Sequence, residues 1–197
     1  MIEKNQNVYK LSMNNKLTIS AIVLLAVVCV YFVNINQQKS YQSSSSKLLI
    51  TNQDQIKKMI IQSDDDALEI MNNGNKVWQI SGHDSLSIKE DVLTNFFDKI
   101  FNLEIQNIMT EKEEKWGKFN VDDSTGTHLA LIDWDDNTIN YFVFGQSNSD
   151  YSRCYVRKDQ NSTVYLLNES ILYYLQTNPN YWGETIIKED DLEIPTQ

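Results

Sequence analysis

Leu17 to Val33 reads LTISAIVLLAVVCVYFV, an almost wholly apolar run without a charge, and the chain after Lys47 is polar, acidic and patterned for folding. A helix needs about 20 predominantly apolar residues to span the hydrocarbon core of a bilayer. The run therefore predicts a transmembrane helix over 17–33 that carries one soluble domain. Tyr31 and Phe32 lie at its end, where aromatic rings favour headgroup level. A cleaved signal peptide would need small residues in an A-x-A-like site after the run; the exit into Asn34-Ile35-Asn36-Gln37-Gln38 offers none. A lipoprotein signal would use Cys29, but Val28 precedes it and more apolar residues follow.

Lys4, Lys10 and Lys16 precede the run and only Glu3 opposes them. The positive-inside rule then makes 1–16 a short cytoplasmic segment and sends the domain to the extracytoplasmic side. Low Pro and Gly with abundant Asn, Lys and Ile suggest a low-GC bacterial genome, so the membrane expected is a bacterial inner membrane. Before Leu48 the chain holds five Lys and one Glu, a formal +4; the rest holds twelve Lys or Arg and 26 Asp or Glu, −14 within a total of −10. A phosphate-binding surface needs a basic patch, so this balance argues against nucleic acid and is read as solubility. Cys29 lies in the apolar run and Cys154 in the domain, which excludes a disulfide scaffold.

Residues 34–47 contain a run of four Ser and form a polar tether. Residues 48–183 suffice for one domain, and an acidic tail follows over 184–197. Apolar stretches separated by turn residues predict strands over Ile56–Gln62, Ala67–Met71 and Val77–Ile80. Ser87 with Glu90 three positions later reads as a capping box. The residues after it place Ile88, Val92, Phe96 and Ile100 on one stripe of an amphipathic helix. Strands follow over Ile105–Met109, His128–Trp134, Ile139–Phe144, Cys154–Arg157 and Thr163–Leu167. Asn168 is the N-cap expected for a last helix from Glu169 to about Gln176, which Pro179 would end. The fold class expected is α+β: two antiparallel β-meander-plus-helix units packed as one domain.

No catalytic motif, cofactor site or metal-ligand set stands out. His83-Asp84-Ser85 invites a triad, yet triads are assembled from separate segments, and this stretch reads as a turn. His128 lies at a strand start, and two His without HExxH or CxxC spacing make zinc improbable. Acidic clusters occur at Asp64-Asp65-Asp66, Asp122-Asp123 and Asp133–Asn137. Oxygens at Asp133, Asp135 and Asn137 alternate as in a calcium loop, but Thr138 and Phe144 stand where an EF-hand has Gly and Glu. A hairpin turn accounts better for them. The paired carboxylates suit a glycosidase only if a cleft brings them together. Asn161-Ser162-Thr163 and Asn168-Glu169-Ser170 match the glycosylation sequon, as short stretches often do by chance. Aromatics are in surplus, and those outside the core, on the open sheet face or beside Tyr181-Trp182, would form a protein-binding patch.

The series Val77-Trp78-Gln79-Ile80, a helix ending in Leu103, Lys115-Trp116-Gly117-Lys118-Phe119-Asn120-Val121-Asp122-Asp123-Ser124-Thr125-Gly126-Thr127, Phe144-Gly145, Tyr155-Val156-Arg157 and Val164-Tyr165-Leu166-Leu167 resembles the bacterial domain-of-unknown-function family 4340. The resemblance spans roughly residues 48–187. It implies a single-pass membrane protein with an extracytoplasmic domain, similar to auxiliary subunits of ABC-type export systems, including those of gliding motility. It brings no catalytic residues. The matched Trp78, Gly117, Gly145, Tyr155 and Arg157 are read as turn glycines and core or sheet-face residues. Larger relatives repeat a similar unit, whereas this chain stops soon after Asp191-Leu192-Glu193-Ile194. The function expected is thus a membrane-anchored, non-enzymatic interaction module with a protein partner in the envelope. Its alternatives are an envelope hydrolase using the acidic turns and a secreted ligand-binding protein.

Overall fold

The computed structural model describes residues 24–28, 46–75 and 77–186. The chain divides into two compact units, Met1–Gln42 and Ser43–Gln197. Within the first, residues 24–28 are helical, and Leu24, Leu25, Val27 and Val28 are exposed. The rest of the apolar run 17–33, with the segments 1–16 and 34–45, lies outside the described residues. Among those described, no helix is long and apolar enough to cross a membrane.

The second unit is built from strands β1 (Ser46–Lys47), β2 (Lys58–Ser63), β3 (Asp66–Asn72), β4 (Trp78–Ile80) and β5 (Leu86–Ile88), then helix α1 (Glu90–Asn102). After it come β6 (Glu104–Thr110), a 3-10 helix over Glu113–Phe119, β7 (Thr127–Ile132), β8 (Thr138–Gln146), β9 (Cys154–Lys158) and β10 (Val164–Leu167). A 3-10 turn over Leu172–Tyr174, the short helix α2 (Pro179–Trp182) and β11 (Gly183–Thr185) complete it. One nine-stranded sheet runs in the order β1-β6-β10-β9-β8-β7-β2-β3-β4, and β11 pairs with β5 apart from it. The meanders β2-β3-β4 and β7-β8-β9-β10 join through the antiparallel pair β2–β7, in which Lys58 faces Ile132 and Gln62 faces His128.

Alternation along the strands gives the sheet two packed faces. On β8, Phe142 and Phe144 enter the main core, whereas Val143 points to a second cluster. The main core takes Leu93, Phe96, Phe97 and Ile100 from α1, a spacing that lays one apolar stripe on the sheet. Phe96 meets Trp182 edge-on at 5.5 Å and Phe97 meets Trp78 at 5.3 Å. The opposite face is covered by the 3-10 helix Glu113–Phe119, which lowers Trp116 and Phe119 onto Val143 and Val164.

The architecture is α+β, but only its first half carries a full helix. Three local readings are corrected. Ser87 is no helix cap: it lies in β5 opposite Glu184, and α1 starts at Glu90 after Lys89. The Lys89 backbone N–H donates to the Trp182 carbonyl at 2.8 Å and its Nζ to the Asn180 carbonyl at 2.7 Å. Strand pairing with a distant segment thus displaces the local capping signal. Nor does a helix run from Glu169 to Gln176. Asn168 accepts from the Glu104 N–H at 2.9 Å, Ile171 is fully buried, and only a 3-10 turn forms. Pro179 opens α2 instead of ending a helix, with the Asn178 side chain accepting from the Asn180 N–H; a fixed φ and a missing donor suit that first position.

Candidate functional site

The acidic clusters fall on separate turns. Asp64-Asp65-Asp66 sits at the β2–β3 turn and Asp133–Asn137 at the β7–β8 turn. The β2–β7 register places these at opposite ends of a six-residue strand, about 20 Å apart at the rise of an extended chain. Two of the clusters hold their own turns through Asp133 and Asp122. Asp133 Oδ1 accepts from the N–H groups of Asp135 at 3.0 Å and Asn137 at 2.8 Å, while Asp136 pairs with Lys57 at 2.7 Å. This is the hairpin turn expected from the sequence. Asp122 accepts from the backbone and hydroxyl groups of Ser124 and Thr125. These hydrogen bonds, the Ser124 hydroxyl foremost, lower its carboxyl to about 2. Among the described residues, no three His, Cys, Asp or Glu are gathered as a metal set would need. His83 stands exposed in a turn.

His128 is buried, with Nδ1 2.6 Å from the Tyr141 hydroxyl. Burial pulls its imidazole below the ordinary value and pushes the Tyr141 phenol up. Beside them Arg157 is fully buried. Its Nε donates to the Val121 carbonyl at 2.9 Å, Nη1 to the Asp159 carbonyl and Nη2 to the Asp123 carboxylate. Its guanidinium carbon lies 4.0 Å from the Trp116 ring centroid. These contacts fasten the segment around the 3-10 helix to β9, which makes Arg157 a structural tie. Cys154 is equally enclosed, and burial pushes its thiol up to about 11, too high for a nucleophile.

The surface near the C-terminal end of the domain is different. Tyr151 and Tyr173 are 73% and 72% exposed, the opposite of what core aromatics do. Tyr173 meets Tyr174 at 5.5 Å and Tyr181 at 5.8 Å, and Tyr181 meets Trp182 at 5.3 Å, each edge to face. The rings thus form a rigid path from solvent to the core. Burial, reinforced by the neighbouring tyrosines, pushes the Tyr181 phenol up to about 12, so it stays a neutral donor. A cleft of about 500 Å³ runs between Tyr151, Ser152, Ser170 and Tyr173. A second, of about 340 Å³, adjoins it through Gln146 and Leu172. Among the described residues, no charged side chain lines either cleft. The sequence pointed to this neighbourhood through Tyr181-Trp182; which tyrosines face solvent was set by the 3-10 turn that replaces the expected helix.

An α+β domain with exposed tyrosines beside clefts that no described charged residue lines, and with its acidic residues dispersed over separate turns, is therefore what the fold and its surfaces define. Residues 78–193 match the family model for the domain of unknown function DUF4340, and the chain belongs to that family. No curated protein and no solved structure matches the chain.

Proposed function

We propose that this chain is a membrane-anchored, non-enzymatic interaction module on the extracytoplasmic side of a bacterial inner membrane, accessory to an ABC-type transporter or an envelope assembly. The observation that carries the reading is the surface of Tyr151 and Tyr173 beside two uncharged clefts. Rigid aromatic rings with polar tips give large contact area at small entropic cost, and they dominate protein interfaces. The apolar run 17–33 and the Lys residues before it support the anchor and its orientation. The acidic turns lie apart, and Asp122 and Asp133 are engaged in hydrogen bonds within their own turns, which favours binding over hydrolysis.

The test is recovery of the tagged full-length protein from its native membrane in mild detergent after in-cell crosslinking, beside Tyr151→Ala/Tyr173→Ala. Stoichiometric transporter or envelope subunits with the parent, lost with the double variant, are expected. Recovery of the parent alone would overturn the reading. A C-terminal alkaline phosphatase fusion checks sidedness, since that reporter is active only outside the cytoplasm.

A further inference from the structure

A second surface has no part in that reading. Trp134, in the β7–β8 turn, is 44% exposed, although a turn of this type asks only for Asp, Asn or Gly. Its indole N–H donates to the Asp54 carbonyl at 2.9 Å, which holds the ring in place. The ring lines two adjoining clefts of about 430 and 440 Å³ that share Asp54. The first is closed on its other sides by Trp78, the β3–β4 loop and the start of α1. Gly74 lies in that loop at φ 92°, and a Cβ there would come within 3.9 Å of the Trp134 ring. A larger side chain at 74 would fill the space beside the ring, so glycine both permits the loop conformation and keeps the cleft open.

The first cleft is lined by the Trp134 indole with Trp78 and Leu93 and by the polar Gln53, Asp54, Asn72, Glu90 and Thr94, with no Lys or Arg among its described residues. Amides and the hydroxyl supply donors as well as acceptors, and the carboxylates accept. An isolated cation would use only the acceptors. Pyranose rings use all of it: their C–H faces are slightly positive and lie on the negative face of an indole, while adjacent hydroxyls bond to amide and carboxylate groups around the rim. A ring already fixed by hydrogen bonding loses little freedom on binding. From this we infer that the Trp134 cleft is a binding site for a neutral saccharide stacked on the indole, with Asn72 and Glu90 meeting its hydroxyls.

The test uses the full chain in a sugar-free detergent, with ¹⁵N-labelled tryptophan. Its four Trp give four indole signals, and Trp134→Phe assigns the one in question. Cellotriose, chitotriose and maltotriose are titrated, with a tri-arginine peptide as the cationic control. At least one saccharide is expected to move the Trp134 signal saturably, with Kd on the order of 1 mM. Glu90→Ala, which leaves the Asn72–Gly74 loop bond intact, then weakens binding about tenfold, the scale of one lost hydrogen bond to a charged group. Thr94→Trp, at an exposed helix position lining the same cleft, blocks it and adds a fifth indole signal, while those of Trp116 and Trp182, which do not line the cleft, stay in place. A Trp134 signal that no saccharide moves overturns the inference. So does one that moves only with tri-arginine, which would make the cleft a site for cations.

Discussion

Arg157→Met removes a guanidinium that the sheet buries completely while keeping most of its length and apolar contact. The carbonyl of buried Val121 then loses its donor, at about 1–3 kcal/mol for a buried acceptor left unpaired, whereas the Asp159 carbonyl belongs to an exposed residue and turns to water. The stacking on Trp116, at 4.0 Å, contributes about 2 kcal/mol when water is excluded. Relief of the desolvation of the charge offsets part of this, so the net loss is about 2–4 kcal/mol. A domain of this size has about 5–15 kcal/mol in all, and its melting temperature should fall by about 10 °C. Asp123 is the control. Its side chain is 72% exposed although its partner is fully buried, so solvent screens the pair and Asp123→Asn should cost under about 1 kcal/mol. Chemical and thermal denaturation of the full chain, followed by circular dichroism, measures both. Equal losses in the two variants, or an Arg157→Met protein as stable as the parent, would refute the view that the Val121 carbonyl bond and the stacking dominate.

The two matched glycines should behave unlike one another. A Cβ on Gly145 would lie 2.1 Å from the Phe119 carbonyl oxygen, whereas one on Gly117 has nothing nearer than 3.5 Å; Gly145→Ala should therefore fail to fold stably, with Gly117→Ala within about 1 kcal/mol of the parent by denaturation. Phe96→Asp puts an unpaired charge where the side chain is fully buried and should abolish cooperative melting; a retained transition would refute the placement of α1. The His128 imidazole titrates below 6.5 in the fold, so it favours the native state fully above 6.5, and stability should fall as pH drops through its lowered value. His128→Gln should flatten that limb in melting curves recorded across the range. Asp122 has the same sign at lower pH: its contribution is present above 3.8 and is lost as pH falls through about 2, so Asp122→Asn should shrink the acid limb.

Apolar stretches bounded by turn residues placed most strands within a residue or two of where they lie, because burial of a strand and the turns that end it are both marked locally. The same logic found the stripe of α1, which packs on one sheet, and the Asp133–Asn137 hairpin turn, whose hydrogen bonds close within five residues. Family membership was legible in an ordered series of short segments spread along the chain. What the sequence could not convey depended on partners distant along the chain. Ser87 carries a valid capping pattern, but pairing with Glu184 competes for its backbone and wins. Asn168 bonds to Glu104 across 64 residues instead of starting a helix. The Trp134 cleft needs the 3-10 turn at Gln53–Gln55, the β3–β4 loop and the start of α1 together, so no local pattern marks it. Local hydrogen bonding and apolar periodicity thus determined the elements, while long-range pairing decided where helices begin and which aromatic rings face solvent.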